Sequence, residues 1–328
     1  MYHAEWSNVM KDSRGTANSD SPECWPELRL KWWKESCATL HMWTQIVGKV
    51  RLALTPRTNH WWNVPLYVSA RGLTTSLIPY GARSFEAEFD FIEHKLRLQT
   101  SDGQRRQLAL APRAVADFYT EFMAILEALG IEVTIWKMPV EIADPIPFDK
   151  DHTHASYDAA RVEKFWRILV SADEVFKMFC SRFIGKSSPV HFFWGSFDLA
   201  VTRFSGRRAP QRNDADPVLR KIMCEAYSHE VISAGFWPGG GGTDDAAFYC
   251  YAAPQPEGFE KQTVRPAKAF YHSGMGEYIL MYEDVRQASS PTGTLLEFLQ
   301  SGYEAGARTG KWDREALERP PETSAGAV

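Results

Sequence analysis

The sequence predicts an α+β protein built from two pseudo-symmetric repeats, each an antiparallel sheet flanked by helices. Three observations lead there. Stretches with apolar residues at three- and four-residue steps alternate with groups of short, strand-like segments. The order helix, strands, helix occurs twice along the chain. Finally, 44% hydrophobic and 24% charged residues over 328 positions describe a globular chain long enough to bury a sizeable core.

Residues 1–21 are polar and rich in Ser, Asp and Asn, so this segment is expected to be disordered. The first repeat spans 22–138. It opens with helical periodicity over 30–49, carried by Trp33, Cys37, Leu40, Trp43, Ile46 and Val47, with a stop expected at Gly48-Lys49. Strands are expected over 51–55, 62–70, 85–91, 95–100 and 106–111, and Ser101-Asp102-Gly103 reads as a hairpin turn. A helix over 114–129 follows Pro112 and ends at Gly130. Residues 131–136 return as a strand, and Pro139, Pro145 and Pro147 mark 139–151 as a linker.

The second repeat, 152–318, follows the same order. Residues 161–183 are helical in period and again approach a Gly-Lys pair, Gly185-Lys186. His191-Phe192-Phe193-Trp194 then matches His60-Trp61-Trp62-Asn63 of the first repeat. Strands are expected over 197–204, 248–252 and 277–281, and a final helix over 294–308, with Phe298 in the place of Phe118. The tail, 319–328, carries Pro320-Pro321 and small residues and is expected to be loose. A repeat of such length points to a duplicated domain rather than a solenoid.

Composition narrows the function classes. With 37 basic and 41 acidic residues the net charge is −4, which argues against nucleic acid as a partner. Five cysteines, scattered without metal-site spacing, fit reduced thiols and a cytoplasmic location. The N-terminus lacks a secretory apolar core, and no apolar run is long enough to enter a membrane. Twelve Trp, twelve Tyr and nineteen Phe raise the aromatic share to 13%. Those rings form either an aromatic core or a lined pocket for a small-molecule ligand.

Several constellations are candidates for chemistry. His60 and His191 hold matching positions and would meet in one cleft if the repeats pack about a pseudo-twofold axis. Tyr227-Ser228-His229-Glu230 precedes Trp237-Pro238 and four glycines, Gly239 to Gly242, then Thr243-Asp244-Asp245. Such a loop lets backbone N–H groups approach a ligand, and it matches neither a P-loop nor the dinucleotide fingerprint. Arg71 and Arg203 leave aromatic strands and are candidates to clamp an anion. Asp198, inside Phe197-Asp198-Leu199, needs a partner or a raised pKa. The plainer readings are histidines capping strand edges, arginines paired with surface acids, and a flexible glycine turn.

Residues 40–49, 59–62, 64–68 and 188–199, together with Ser228-His229-Glu230 and Phe236-Trp237-Pro238-Gly239-Gly240, resemble a bacterial family filed as a domain of unknown function. The resemblance runs from about Trp25 to Trp312 and implies no activity, cofactor or catalytic residue.

The expected function is therefore an enzyme acting on a small molecule in an aromatic-lined pocket between the halves. His60, His191, His229, Glu230 and Asp198 are its catalytic candidates. Arg71, Arg203, Trp62, Trp194, Trp237 and Gly240 are its substrate contacts. A divalent metal, zinc, iron or manganese, would be held by His191, His229, Asp244 and Asp245. The alternatives are a non-catalytic binder of a small molecule or haem, and a protein-interaction module.

Overall fold

The computed structural model describes residues 23–211, 217–240 and 243–320. The N-terminal segment 1–21, most of the expected tail, and Gly241 and Gly242 lie outside the described residues.

Helix α1 (Lys34–Leu54) runs through the middle of the protein and is buried almost all round. Its polar residues are satisfied locally or by neighbours. Thr39 and Thr44 donate to the carbonyls of Glu35 and His41, and the Gln45 amide pairs with both the N–H and the C=O of Val140. The stop expected at Gly48 is absent, and the residues expected as a strand over 51–55 extend the same helix. Gly48 lies inside the helix because the Trp194 indole packs onto its Cα, where any side chain would overlap the ring.

The first sheet comprises β1 (Tyr67–Val68), β2 (Gly72–Thr74), β3 (Ile78–Tyr80), β4 (Arg83–Asp90), β5 (Lys95–Thr100) and β6 (Arg105–Ala109). Its order is β1-β2-β4-β5-β6, with β3 also paired to β4. Strand alternation turns Phe85, Ala87 and Phe89 of β4 and Leu96 and Leu98 of β5 inward. The β5–β6 turn falls on Ser101-Asp102-Gly103, with Gly103 at φ +91°. Helix α2 (Val115–Ala128) stops where Gly130 turns left-handed, and Ile131 N–H reaches back to the Leu126 carbonyl. Residues 131–136 form no strand. They run as irregular chain beside the sheet.

Helix α3 (Ala159–Ser181), capped by Asp158, leads into the second sheet. That sheet contains β7 (His191–Phe193) and β8 (Asp198–Arg208). After helix α4 (Pro217–Ala226) come β9 (His229–Trp237), β10 (Ala247–Ala253), β11 (Phe270–His272) and β12 (Glu277–Met281). All pairs are antiparallel, in the order β11-β12-β10-β9-β8-β7. Helices α5 (Tyr282–Arg286), α6 (Pro291–Thr309) and α7 (Arg314–Leu317) close the chain. Gly302 and Gly306 of α6 sit directly on Cys250 and Ile232, which brings that helix tight against one face of the sheet.

The protein is thus α+β with two antiparallel sheets, each preceded and followed by a helix. The sheets meet where Leu66 and Phe192 exchange backbone hydrogen bonds, both 2.9 Å. One hydrophobic cluster runs through both halves, and its centre is a stack of Trp43 on Phe118 (4.7 Å) and Tyr157 (5.4 Å). No described helix is long and apolar enough to cross a membrane.

A histidine and lysine pair at the seam between the sheets

The segment Asn59–Trp61 makes a tight turn in which two consecutive non-glycine residues are left-handed, His60 at φ 57° and Trp61 at φ 61°. Each such residue costs roughly 1–3 kcal/mol, so the surroundings must hold it in place. The holding contacts are the carbonyls at the end of α4. His60 Nδ1 donates to Glu225 O (3.1 Å) and Ala226 O (3.2 Å), and Trp61 Nε1 donates to Ile222 O (3.2 Å). The carbonyls of Glu225 and Ala226, in the last turn, have no partner in their own helix, which explains their use by His60. Arg57 stacks on Trp61 at 4.3 Å and pairs with Glu225.

With Nδ1 carrying the proton toward α4, His60 Nε2 is left as an acceptor. Lys186 Nζ lies 2.6 Å from it. Lys186 comes from the segment between α3 and β7, and its carbonyl accepts the Phe204 N–H, which pins it beside β8. Gly185 makes that position possible, because a side chain there would meet Leu317 and the Phe183 ring. The Lys186 ammonium lies over the Trp62 ring (5.1 Å) and the Phe204 ring (4.9 Å). Among the described residues no carboxylate pairs with it. Partial desolvation lowers the pKa of the exposed Lys186, and burial, followed by the Lys186 charge, lowers that of His60. The His229 imidazole stands 5.9 Å from His60, centroid to centroid, and its Nδ1 is 3.1 Å from Ser228 Oγ.

His191 occupies the other side of Trp62, at 5.8 Å, boxed by Tyr67 (5.6 Å) and Phe193 (5.4 Å). It is 1% exposed, and its Nε2 has no hydrogen-bond partner among the described residues. Burial, with Arg51 nearby, holds its pKa down to about 4, so the ring is neutral. Trp62 therefore stands between the two histidines that sequence pairing brought together.

The remaining candidates fall elsewhere. Asp198 begins β8, six residues from Phe204 or about 20 Å along the strand. Its carboxylate accepts from Tyr249 and Ser196, and burial raises its pKa. Burial and the Asp198 charge also push Glu277 up to about 7. Trp237 packs on Tyr249 at 5.4 Å in the same region. Glu230 faces away from His229, as strand alternation requires, and binds Arg207 at 2.6 Å. Arg71 pairs with fully buried Asp90 at 2.6 Å in the first sheet. Arg203 is buried among rings under α6 and opens onto no ligand space. Trp194 fills the seam, donating its Nε1 to Val64 O at 2.8 Å. Gly240, at φ +94°, closes a turn onto Thr243.

The expected metal set does not assemble. Asp245 accepts from Leu30 N at 2.9 Å and from Arg29 at 3.4 Å, Asp244 is exposed, and His191 sits among rings. Among the described residues no group of three or more His, Cys, Asp or Glu could hold a metal ion. Of the rings expected to line a pocket, Trp194 is buried, Trp237 packs on Tyr249, and Trp62 is half-buried. Two surface recesses of about 220 and 280 Å³ lie elsewhere, and Trp62, Trp194 and Trp237 line neither. Lys186 was missed because a lysine after a helix-ending glycine carries no signal of its own. Only the fold shows which ring it meets.

The class so defined is an α+β protein with a histidine and lysine cluster at the seam of two sheets. Residues 25–319 match DUF5996, a family of unknown function, and the chain belongs to that family. Searches of curated proteins and of solved structures returned no match.

Proposed function

We propose that the protein is an enzyme acting on a small molecule at the seam, with Lys186 and His60 as an acid/base pair. One observation carries this reading: an amine 2.6 Å from an imidazole nitrogen whose ring is locked in the accepting tautomer. The proton between them has two bases to choose from and no carboxylate to fix it on the amine. A surface lysine without such a setting stays an ammonium ion at neutral pH. The two left-handed residues beneath the pair support the same reading, since strain of this kind gathers at working sites.

The test is competitive acylation of the whole protein with a trace of acetic anhydride at pH 7, with each lysine read by peptide mass spectrometry. Lys186 is expected to react about tenfold or more faster, after correction for exposure, than Lys261, whose side chain is 81% exposed. Equal rates would remove the acid/base pair and leave His60 as a cap for α4.

A further inference from the structure

Building on that proton-transfer reading, we infer that Lys186 is a nucleophile that forms an imine with a carbonyl-bearing small molecule. An amine needs three things for this: an available lone pair, a neighbour to take the protons it sheds, and an approach for the carbonyl carbon. The His60 Nε2 acceptor at 2.6 Å can draw off the ammonium proton and free the lone pair, and among the described residues no carboxylate competes to hold it on nitrogen. His60 Nε2, at 2.6 Å, is the proton acceptor, and it cannot turn away because Nδ1 is tied to two carbonyls of α4. The approach is open, since Lys186 is exposed while Trp62, half-buried, offers an apolar wall. A flat or apolar carbonyl compound fits that wall better than a strongly hydrated one.

The step balances without oxidant or reductant. The Lys186 nitrogen lone pair bonds to the carbonyl carbon while the C=O π pair moves to oxygen. His60 Nε2 takes a proton from the nitrogen and returns it to that oxygen, giving the carbinolamine. Protonation of the hydroxyl lets it leave as water while nitrogen forms the second bond to carbon. The proton that converts the hydroxyl to water comes from solvent, and the last N–H proton passes through His60 back to solvent, so the net products are the imine and one water.

The experiment incubates the full chain with benzaldehyde, and separately with pyruvate, at pH 7 with sodium cyanoborohydride, and quantifies each lysine by peptide mass. Lys186 is expected to be alkylated at least about tenfold faster than Lys261 and Lys268, with benzaldehyde preferred over pyruvate. H60Q is expected to remove most of that advantage. If H60Q does not fold, the comparison among lysines of the unaltered protein stands alone as the test. Fast acylation of Lys186 without preferential alkylation by either carbonyl would overturn the imine and leave the acid/base pair intact. An ordinary rate in both experiments would overturn both.

Discussion

Arg203 offers a prediction that runs against the usual expectation for a buried charge. It leaves β8 on the face covered by α6 and is 0% exposed. Its guanidinium lies 3.4 Å from the Phe179 ring centroid, 4.3 Å from Tyr303 and 4.9 Å from Phe183. Nη2 donates to the Phe179 carbonyl, while Nε and Nη1 find no acceptor among the described residues. Burial brings its pKa down to about 10. At 1.36 kcal/mol per pKa unit, that depression sets about 3 kcal/mol against the charged form. R203M keeps the length, places a polarizable sulfur among the rings and removes the charge. It gives up one hydrogen bond, worth about 1 kcal/mol, and the Phe179 carbonyl keeps the Arg182 N–H at 3.2 Å. The net expectation is a gain of about 1–2 kcal/mol, as for other buried charges replaced by apolar residues of similar volume. R203A, which opens a cavity, should instead lose about 2–5 kcal/mol. Urea unfolding at pH 7, followed by tryptophan fluorescence, measures both variants. A lower midpoint for R203M would show that the guanidinium is a net stabiliser and refute the reasoning.

Two further perturbations address the seam. G48A puts a methyl group into the Trp194 indole, and overpacking of this kind should cost about 1–3 kcal/mol. The double variant G48A/W194F should recover part of that loss in the same urea assay, and additive losses would mean the two do not touch. His191 gives a pH dependence: the unfolded chain binds its proton near pH 6.5 and the folded protein only near 4. Its contribution is therefore complete above pH 6.5 and lost as pH falls toward 4, a change of about 3 kcal/mol. Unfolding free energies of the parent and H191Q across that range should diverge accordingly, and parallel curves would show that His191 titrates normally.

Much of the architecture was legible from local rules. The 95–100 and 277–281 strands fall where alternation puts them, and Gly103 and Gly130 turn the chain as their conformational freedom allows. The misreadings share one cause. Gly48 looked like a helix stop because its reason, the Trp194 ring, arrives from a residue far along the chain. Strand β9 went unassigned in the sequence, with its polar start His229-Glu230, whereas its pairing with β8 and β10 settles its form. Among the candidate residues, the sequence singled out His60, His191 and His229, and the fold places His60 and His191 against Trp62 and His229 against His60. It sends Arg71 to Asp90, Glu230 to Arg207 and Asp245 to Leu30, partners that no local pattern names.

By itself, then, the sequence determined the α+β class, the main helices and hairpin, and the aromatic weight of the core. These follow from periodicity, turn chemistry and composition, all of which act over a few residues. Only the tertiary structure decided which polar groups meet. The Lys186 amine touches His60 Nε2 because Gly185 lets the chain pass Leu317, Phe204 anchors the Lys186 backbone, and the end of α4 supplies carbonyls that lock the imidazole. Each of those contacts joins segments distant in sequence, and burial and hydrogen-bond completion choose such partners only once the chain has folded.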